Sequence, residues 1–114
     1  MTSKEELEAA QRQLQKESFE LNQIQALLGS KIALLRRNRL TEAEIEDVTD
    51  DNVAFVSVGR LFVAKSLSEV KSDIKTSNVA LEDDLARLET SRSHLERAFV
   101  EHKDAFAEML RSQA

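Results

Sequence analysis

Leucine recurs at every seventh position from Leu7 through Leu14, Leu21 and Leu28 to Leu35, without a miss. Ala10, Ile24 and Ile32 widen the stripe at intervals of three or four. Only an α-helix brings positions spaced in this way onto one face, so the pattern predicts a single amphipathic helix over residues 4–39. At about 1.5 Å per residue such a helix is roughly 50 Å long. A chain of 114 residues cannot wrap a rod of that length in a globule, and the leucine stripe therefore needs a partner rod. Gly29 falls inside the pattern, where it costs about 1 kcal/mol relative to Ala. Close backbone packing is the reading it suggests.

The last third of the chain supplies the partner. Leu67, Val70, Ile74, Leu81, Leu85, Leu88, Leu95, Phe99, Phe106 and Met109 repeat the alternation of three and four, with a phase shift near Leu81 to Leu85 of the kind called a stutter. This predicts a second helix over 67–112. The absence of Pro, and only two Gly, leave little to interrupt either helix. Residues 40–66 are too few to carry the chain back along such a rod, so the helices run antiparallel. One register sets Leu35 level with Ile74, Leu28 with Leu81, Leu21 with Leu88 and Leu14 with Leu95. It brings Leu7 near His102 and gathers Phe99, Phe106, Met109 and Leu110 at or beyond the open end. These residues either continue the coiled-coil seam or expose an apolar surface at that end, for which the flexible, polarisable Met109 is suited.

The connection is organised. Thr41-Glu42-Ala43-Glu44 has the form of a capping box and predicts a short helix ending near the acidic Asp47-Val48-Thr49-Asp50-Asp51. Ser66-Leu67-Ser68-Glu69 repeats the form and starts the second long helix. Between them, nine of the twelve residues from Val53 to Ala64 are apolar, a density that decides their role. Val53, Phe55, Val56 and Val58, then Leu61, Phe62 and Val63, flank Gly59, which can take the positive φ of a tight turn, and so predict a β-hairpin. Phe55 and Val56 point to opposite faces, as do Phe62 and Val63. A lone two-stranded hairpin is marginal in water, and one with two apolar faces and two open edges must be covered by other chains. Val53 to Ala64 is read as an oligomerisation element.

Other functions lose their support. No Cys is present, which removes disulfides and thiolate ligands together. A net charge of −5 argues against nucleic acid. The basic cluster Arg36, Arg37 and Arg39 follows the leucines instead of preceding them, as a DNA-binding zipper requires; it is read as cations against the negative end of the first helix dipole. The opening MTSKEELEAAQRQLQ is acidic and polar, and no run approaches the roughly 18 apolar residues of a membrane span; a cytoplasmic protein without membrane contact is expected. His94 and His102 lie about 12 Å apart along a helix and cannot share a metal there. His102, on the apolar stripe, reads as a tolerated polar residue near a frayed end. Glu42 to Asp51 lacks the Gly and ligand alternation of a calcium loop. With no phosphate loop and no nucleophile and base that a helical rod can assemble, no catalytic, cofactor or metal site is expected, and the chain is not read as an enzyme.

Leu40-Thr41-Glu42-Ala43-Glu44-Ile45, the turn Val58-Gly59-Arg60-Leu61-Phe62, and Ser93-His94-Leu95-Glu96-Arg97 leading to Glu108-Met109-Leu110 resemble the β-type prefoldin subunits. The likeness runs in register over about residues 40–112 and extends into the preceding heptads; the departure is a short N-terminus. It implies a mainly α fold across 1–114: a long antiparallel two-helix coiled-coil hairpin with one β-hairpin at its base. A single hairpin agrees with the β type, since α-type subunits carry two. The resemblance further implies a heterohexamer of two α-type and four β-type subunits. In it, Val53, Phe55, Val56, Val58, Gly59, Leu61, Phe62 and Val63 join shared β-barrels, while Leu7, Phe99, Phe106, Met109 and Leu110 at the tips hold unfolded actin and tubulin. Clients pass to the cytosolic chaperonin without use of ATP. A homodimeric coiled-coil tether or scaffold is the competing reading; it uses the heptads equally well but gives no reason for a two-faced hairpin.

Overall fold

The computed structural model describes residues 3–113. Two long helices, α1 (Lys4–Ile45) and α2 (Leu67–Gln113), are separated by the strands β1 (Val53–Val58) and β2 (Leu61–Ser66). Helix α1 opens on a cap that the sequence reading passed over: Ser3 Oγ accepts the Glu6 amide at 3.1 Å, and Glu5 and Glu6 set carboxylates against the positive end of the dipole. The helix then continues through the capping box at Thr41 and corrects the short separate helix expected there. Thr41 Oγ1 donates to the Arg37 carbonyl at 3.0 Å and caps nothing. No Gly or Pro interrupts this stretch, and propagating a helix costs less than starting a new one.

Past Ile45 the chain turns through Val48, whose amide reaches the Ile45 carbonyl, and Asn52, whose amide and side chain both bond Thr49. The strands pair antiparallel from Val53 opposite Ser66 to Val58 opposite Leu61. Gly59 takes a φ of 61°, and no other residue has a positive φ among those described. Positive φ at the first turn position alone is the pattern of a type II′ turn, whose twist matches the strands it joins. Ser66 Oγ caps α2 by accepting the Glu69 amide at 3.2 Å, as its sequence pattern predicts, and the Asn52 carbonyl accepts the Leu67 amide.

Contacts divide the chain into two compact units. One holds the residues up to Gly29 with those from Ala86 onward; the other spans Ser30–Leu85. Within the first, Leu21 and Leu28 are buried together with Glu17, and Leu7, Leu14, Leu95, Phe99, Phe106 and Met109 are half-buried. Within the second, Leu35, Leu67 and Leu81 form the buried core with Asn78. There α1 and α2 are antiparallel: Lys31 Nζ meets Asp84 Oδ2 at 3.1 Å, and Asn38 Nδ2 donates to Ser77 Oγ at 3.3 Å.

The register is not the one the leucine spacing suggested. Asn78 Nδ2 donates to Glu42 Oε2 at 3.0 Å, and His102 Nδ1 lies 2.7 Å from Glu17 Oε1 instead of beside Leu7. Each α1 residue therefore faces a position further toward the C-terminus of α2 than expected. Heptads fit almost equally well one whole repeat along, whereas polar pairs on the seam have a single good alignment. Close packing at Gly29 is likewise not found: a Cβ there would meet nothing within 4 Å.

Candidate assembly surface

The pairing register sorts the hairpin into two faces. Val53, Phe55 and Ser57 share one with Phe62, Ala64 and Ser66; Ala54, Val56 and Val58 share the other with Leu61, Val63 and Lys65. The first face is open throughout, with Phe55 at 71% and Phe62 at 73% exposure. On the second, Ala54, Val56 and Lys65 are half-buried, but Val58 and Leu61 remain 58% and 70% exposed and Val63 46%. Among the described residues the sheet has only these two strands, so each offers an unpaired outer edge. Gly59 holds the turn in a conformation that a side chain would strain.

This apolar patch sits on a fixed base. Lys71 Nζ donates to the Val48 carbonyl at 2.7 Å and to Asp50 Oδ1 at 2.8 Å, tying the loop before β1 to α2. Lys65 Nζ, at the end of β2, donates to Asp73 Oδ2 at 2.7 Å. That hydrogen bond, and after it the Asp73 charge, hold the Lys65 proton more tightly than the ordinary lysine value of 10.5. Asn38–Ser77 and Asn78–Glu42 add polar contacts nearby, and Asn78 Oδ1 is buried without a partner. The hairpin is thus presented in one orientation, its apolar side chains facing outward.

Arg36, Arg37 and Arg39 are not at a helix end, because α1 runs on to Ile45 and its last turn carries no basic residue. Arg39 instead pairs with Glu82 on α2 at 2.7 Å. The dipole reading of that cluster is therefore corrected.

In the first unit the five residues read as a tip do not behave alike. Leu7, Phe99, Phe106 and Met109 are half-buried on the seam, while Leu110 is 50% exposed. Glu17 is a residue sequence reasoning missed, and His102, read as a tolerated polar residue near a frayed end, is instead its partner within a helix that runs on to Gln113. Both Glu17 carboxylate oxygens lie within 2.9 Å of His102 Nδ1, with the Glu17 side chain only 5% exposed and His102 49%. Their signal was legible: Glu17 falls between Leu14 and Leu21 on the stripe, and His102 falls on the stripe of α2. Phe19, 62% exposed on α1, also went unremarked. Among the described residues no three His, Cys, Asp or Glu are placed to hold a metal ion, and no helix is long and apolar enough to cross a membrane.

A two-stranded hairpin with exposed apolar faces, set between long helices, is also the pattern of known proteins. Residues 8–113 match the family described as Prefoldin subunit. The chain belongs to the prefoldin subunit family. It is 30% identical over 109 residues to prefoldin subunit 1 of Homo sapiens, covering 92% of this chain and 89% of the human one. It is 28% identical over 113 residues to prefoldin subunit 1 of Tetraodon nigroviridis, covering 96% and 93%. The fold matches the crystal structure of the prefoldin beta subunit from Thermococcus strain KS-1 with a TM-score of 0.77 over 92% of each chain, at 24% identity. This prefoldin chain is therefore a chaperone-family subunit whose partners are other prefoldin subunits.

Proposed function

We propose that this chain is a β-type subunit of a heterohexameric co-chaperone that holds unfolded chains of the actin and tubulin kind without ATP and passes them to the cytosolic chaperonin. It works in the cytoplasm, as one domain, and performs no catalysis. One observation carries the assembly half of this reading: the hairpin keeps Val53, Phe55, Val58, Leu61 and Phe62 more than half exposed on strands whose outer edges are unpaired. Neighbouring hairpins supply the strands and side chains that complete the β structure. Val56 and Val63 add to the buried surface, and Gly59 shapes the turn. The client-holding half rests on family membership and on the apolar set Leu7, Phe99, Phe106, Met109 and Leu110. Leu110 is the member already open to solvent.

The test is the native mass of the complex purified from cells, with its subunits identified. A heterohexamer of small helical chains is the expected result, and a homodimer contradicts the proposal. In the same purification, Phe55→Asp with Phe62→Asp places unpaired charge in the shared β structure, at a cost of several kcal/mol, and expels this subunit. Co-purification of the double variant at normal stoichiometry would remove the hairpin from the assembly.

A further inference from the structure

With Leu7, Phe99, Phe106 and Met109 half-buried on the seam, the first unit keeps its open apolar surface elsewhere. Phe19, 62% exposed, and Leu27, 45% exposed, lie with Gln23 on one row of α1, each four residues from the next. Beside that row runs a groove of about 350 Å³ lined by Glu20, Gln23, Ile24, Leu27 and Leu95. Ile24 and Leu95 are half-buried, so a side chain entering the groove meets branched aliphatic walls. Glu20 is the one charged residue of that lining; it is half-buried and makes no hydrogen bond or ion pair among the described residues. Lys16, one turn earlier, is exposed and does not pair with it.

Size and charge narrow the occupant. Phe19 and Leu27 together leave on the order of 200 Å² of apolar surface open, against ~800 Å² per partner in a stable protein interface. That is too little to hold a folded subunit and enough to grip a side chain weakly. The groove also belongs to the compact unit that does not carry the hairpin, so assembly through the hairpin leaves it free. An occupant that covers Glu20 takes a carboxylate out of water, which is costly unless a cation meets it. An apolar side chain alone fills the groove but strands that charge. One beside a lysine or arginine fills the groove and supplies a charge-assisted hydrogen bond, and one beside an acid is repelled. Resting on the client-holding reading above, we propose that Ile24, Leu27 and Leu95, with Glu20 at their side, form a client-binding site for an apolar side chain next to a lysine or arginine in an unfolded chain. Phe19, next along the row, widens the apolar contact.

The chain has no Cys, so Leu27→Cys places a thiol in the groove that reports its occupancy. Full-length Leu27→Cys is assembled with the remaining prefoldin subunits of the same organism, and maleimide labelling of this subunit is followed by mass spectrometry. Val100→Cys, at a position 54% exposed and outside the groove lining, is the control. The probes are the peptide Gly-Ser-Leu-Lys-Phe-Lys-Ser-Gly and its counterpart with Glu in place of each Lys. Leu27→Cys is expected to label as fast in the complex as in the isolated chain. The basic peptide then slows that labelling by about two- to fivefold more than the acidic one, the range of a partly exposed ion pair, and neither slows Val100→Cys. Adding Glu20→Lys reverses the preference. Equal protection by both peptides, protection by neither, or a preference that Glu20→Lys leaves unchanged overturns the inference. So does labelling that is slow in the complex before any peptide is added, which puts another subunit in the groove. Suppression of aggregation of a denatured client separates the two readings. If the wild-type complex suppresses it while the peptides leave Leu27→Cys unprotected, only this site is wrong; if the complex suppresses none, the client-holding reading falls with it.

Discussion

The helix seam and the hairpin are built from the same kinds of side chain, yet one is closed and the other open. Leu21, Leu28, Leu35, Leu67 and Leu81 are at most 8% exposed, while Phe55 and Phe62 exceed 70%. The difference lies in the period. Apolar residues at intervals of three and four make one stripe per helix, and a second helix covers one stripe. Apolar residues at successive strand positions make two faces and two edges, which a pair of helices cannot cover. The helices thus find their partner within the chain, while most of the hairpin's apolar side chains stay open to solvent.

The sharpest contrast comes from truncating one residue of each kind in the isolated chain. Leu28→Ala removes a buried side chain and should cost about 2–5 kcal/mol in urea unfolding. Phe55→Ala should change the same stability by less than about 0.5 kcal/mol, because the ring is already in water. Equal costs would erase the distinction between the regions. A smaller effect separates Leu110 from the half-buried residues beside it. Leu110→Ser should weaken suppression of client aggregation by the intact complex while leaving subunit stability unchanged. Phe106→Ser and Met109→Ser, by contrast, lower stability as well, each losing part of about 1.5–3 kcal/mol of burial. If Leu110→Ser destabilises the chain or leaves holding untouched, the open end is seam and not a capture surface. Gly29→Ala should raise the stability of the isolated chain by about 1 kcal/mol, since the added Cβ meets nothing; a loss would reveal close packing at Gly29 within the chain.

The smallest expected effect concerns the base of the hairpin. The Lys65 proton is held above its ordinary 10.5 by Asp73, so the folded chain binds that proton more tightly than the unfolded one. The contribution is complete below pH 10.5 and is lost as pH rises through the higher folded value. The stability difference between wild type and Lys65→Met should be flat at neutral pH and close only at strongly alkaline pH. A difference that vanishes below pH 9 would assign the contact another role.

Much of this was legible in the residues. The heptads fix two helices, and the short connection fixes their antiparallel sense. Gly59 between β-branched and aromatic runs fixes the hairpin, whose apolar side chains are largely exposed. What was not legible has physical causes. Thr41 satisfies the capping-box pattern, yet a hydroxyl bonds a preceding carbonyl equally well when nothing stops the helix, so α1 continues to Ile45. The register escaped because leucines repeat and are interchangeable by one heptad. The contacts that decide it, Glu17 with His102 and Asn78 with Glu42, join residues far apart in sequence. The tip shifted with the register: Phe106 and Met109, placed beyond the end of α1 by leucine matching, are half-buried.

The central claim is that Val53–Ser66 is completed by other chains and the helices are not. Amide hydrogen exchange on the isolated subunit and on the assembled complex tests it directly. The account predicts that hairpin amides, above all those on the outer edges of β1 and β2, exchange rapidly in the isolated chain and become strongly protected in the complex, while α1 and α2 around Leu21, Leu28 and Leu81 are protected alike in both. Protection of the hairpin in the isolated chain equal to that in the complex, or new protection confined to the helices, would contradict it.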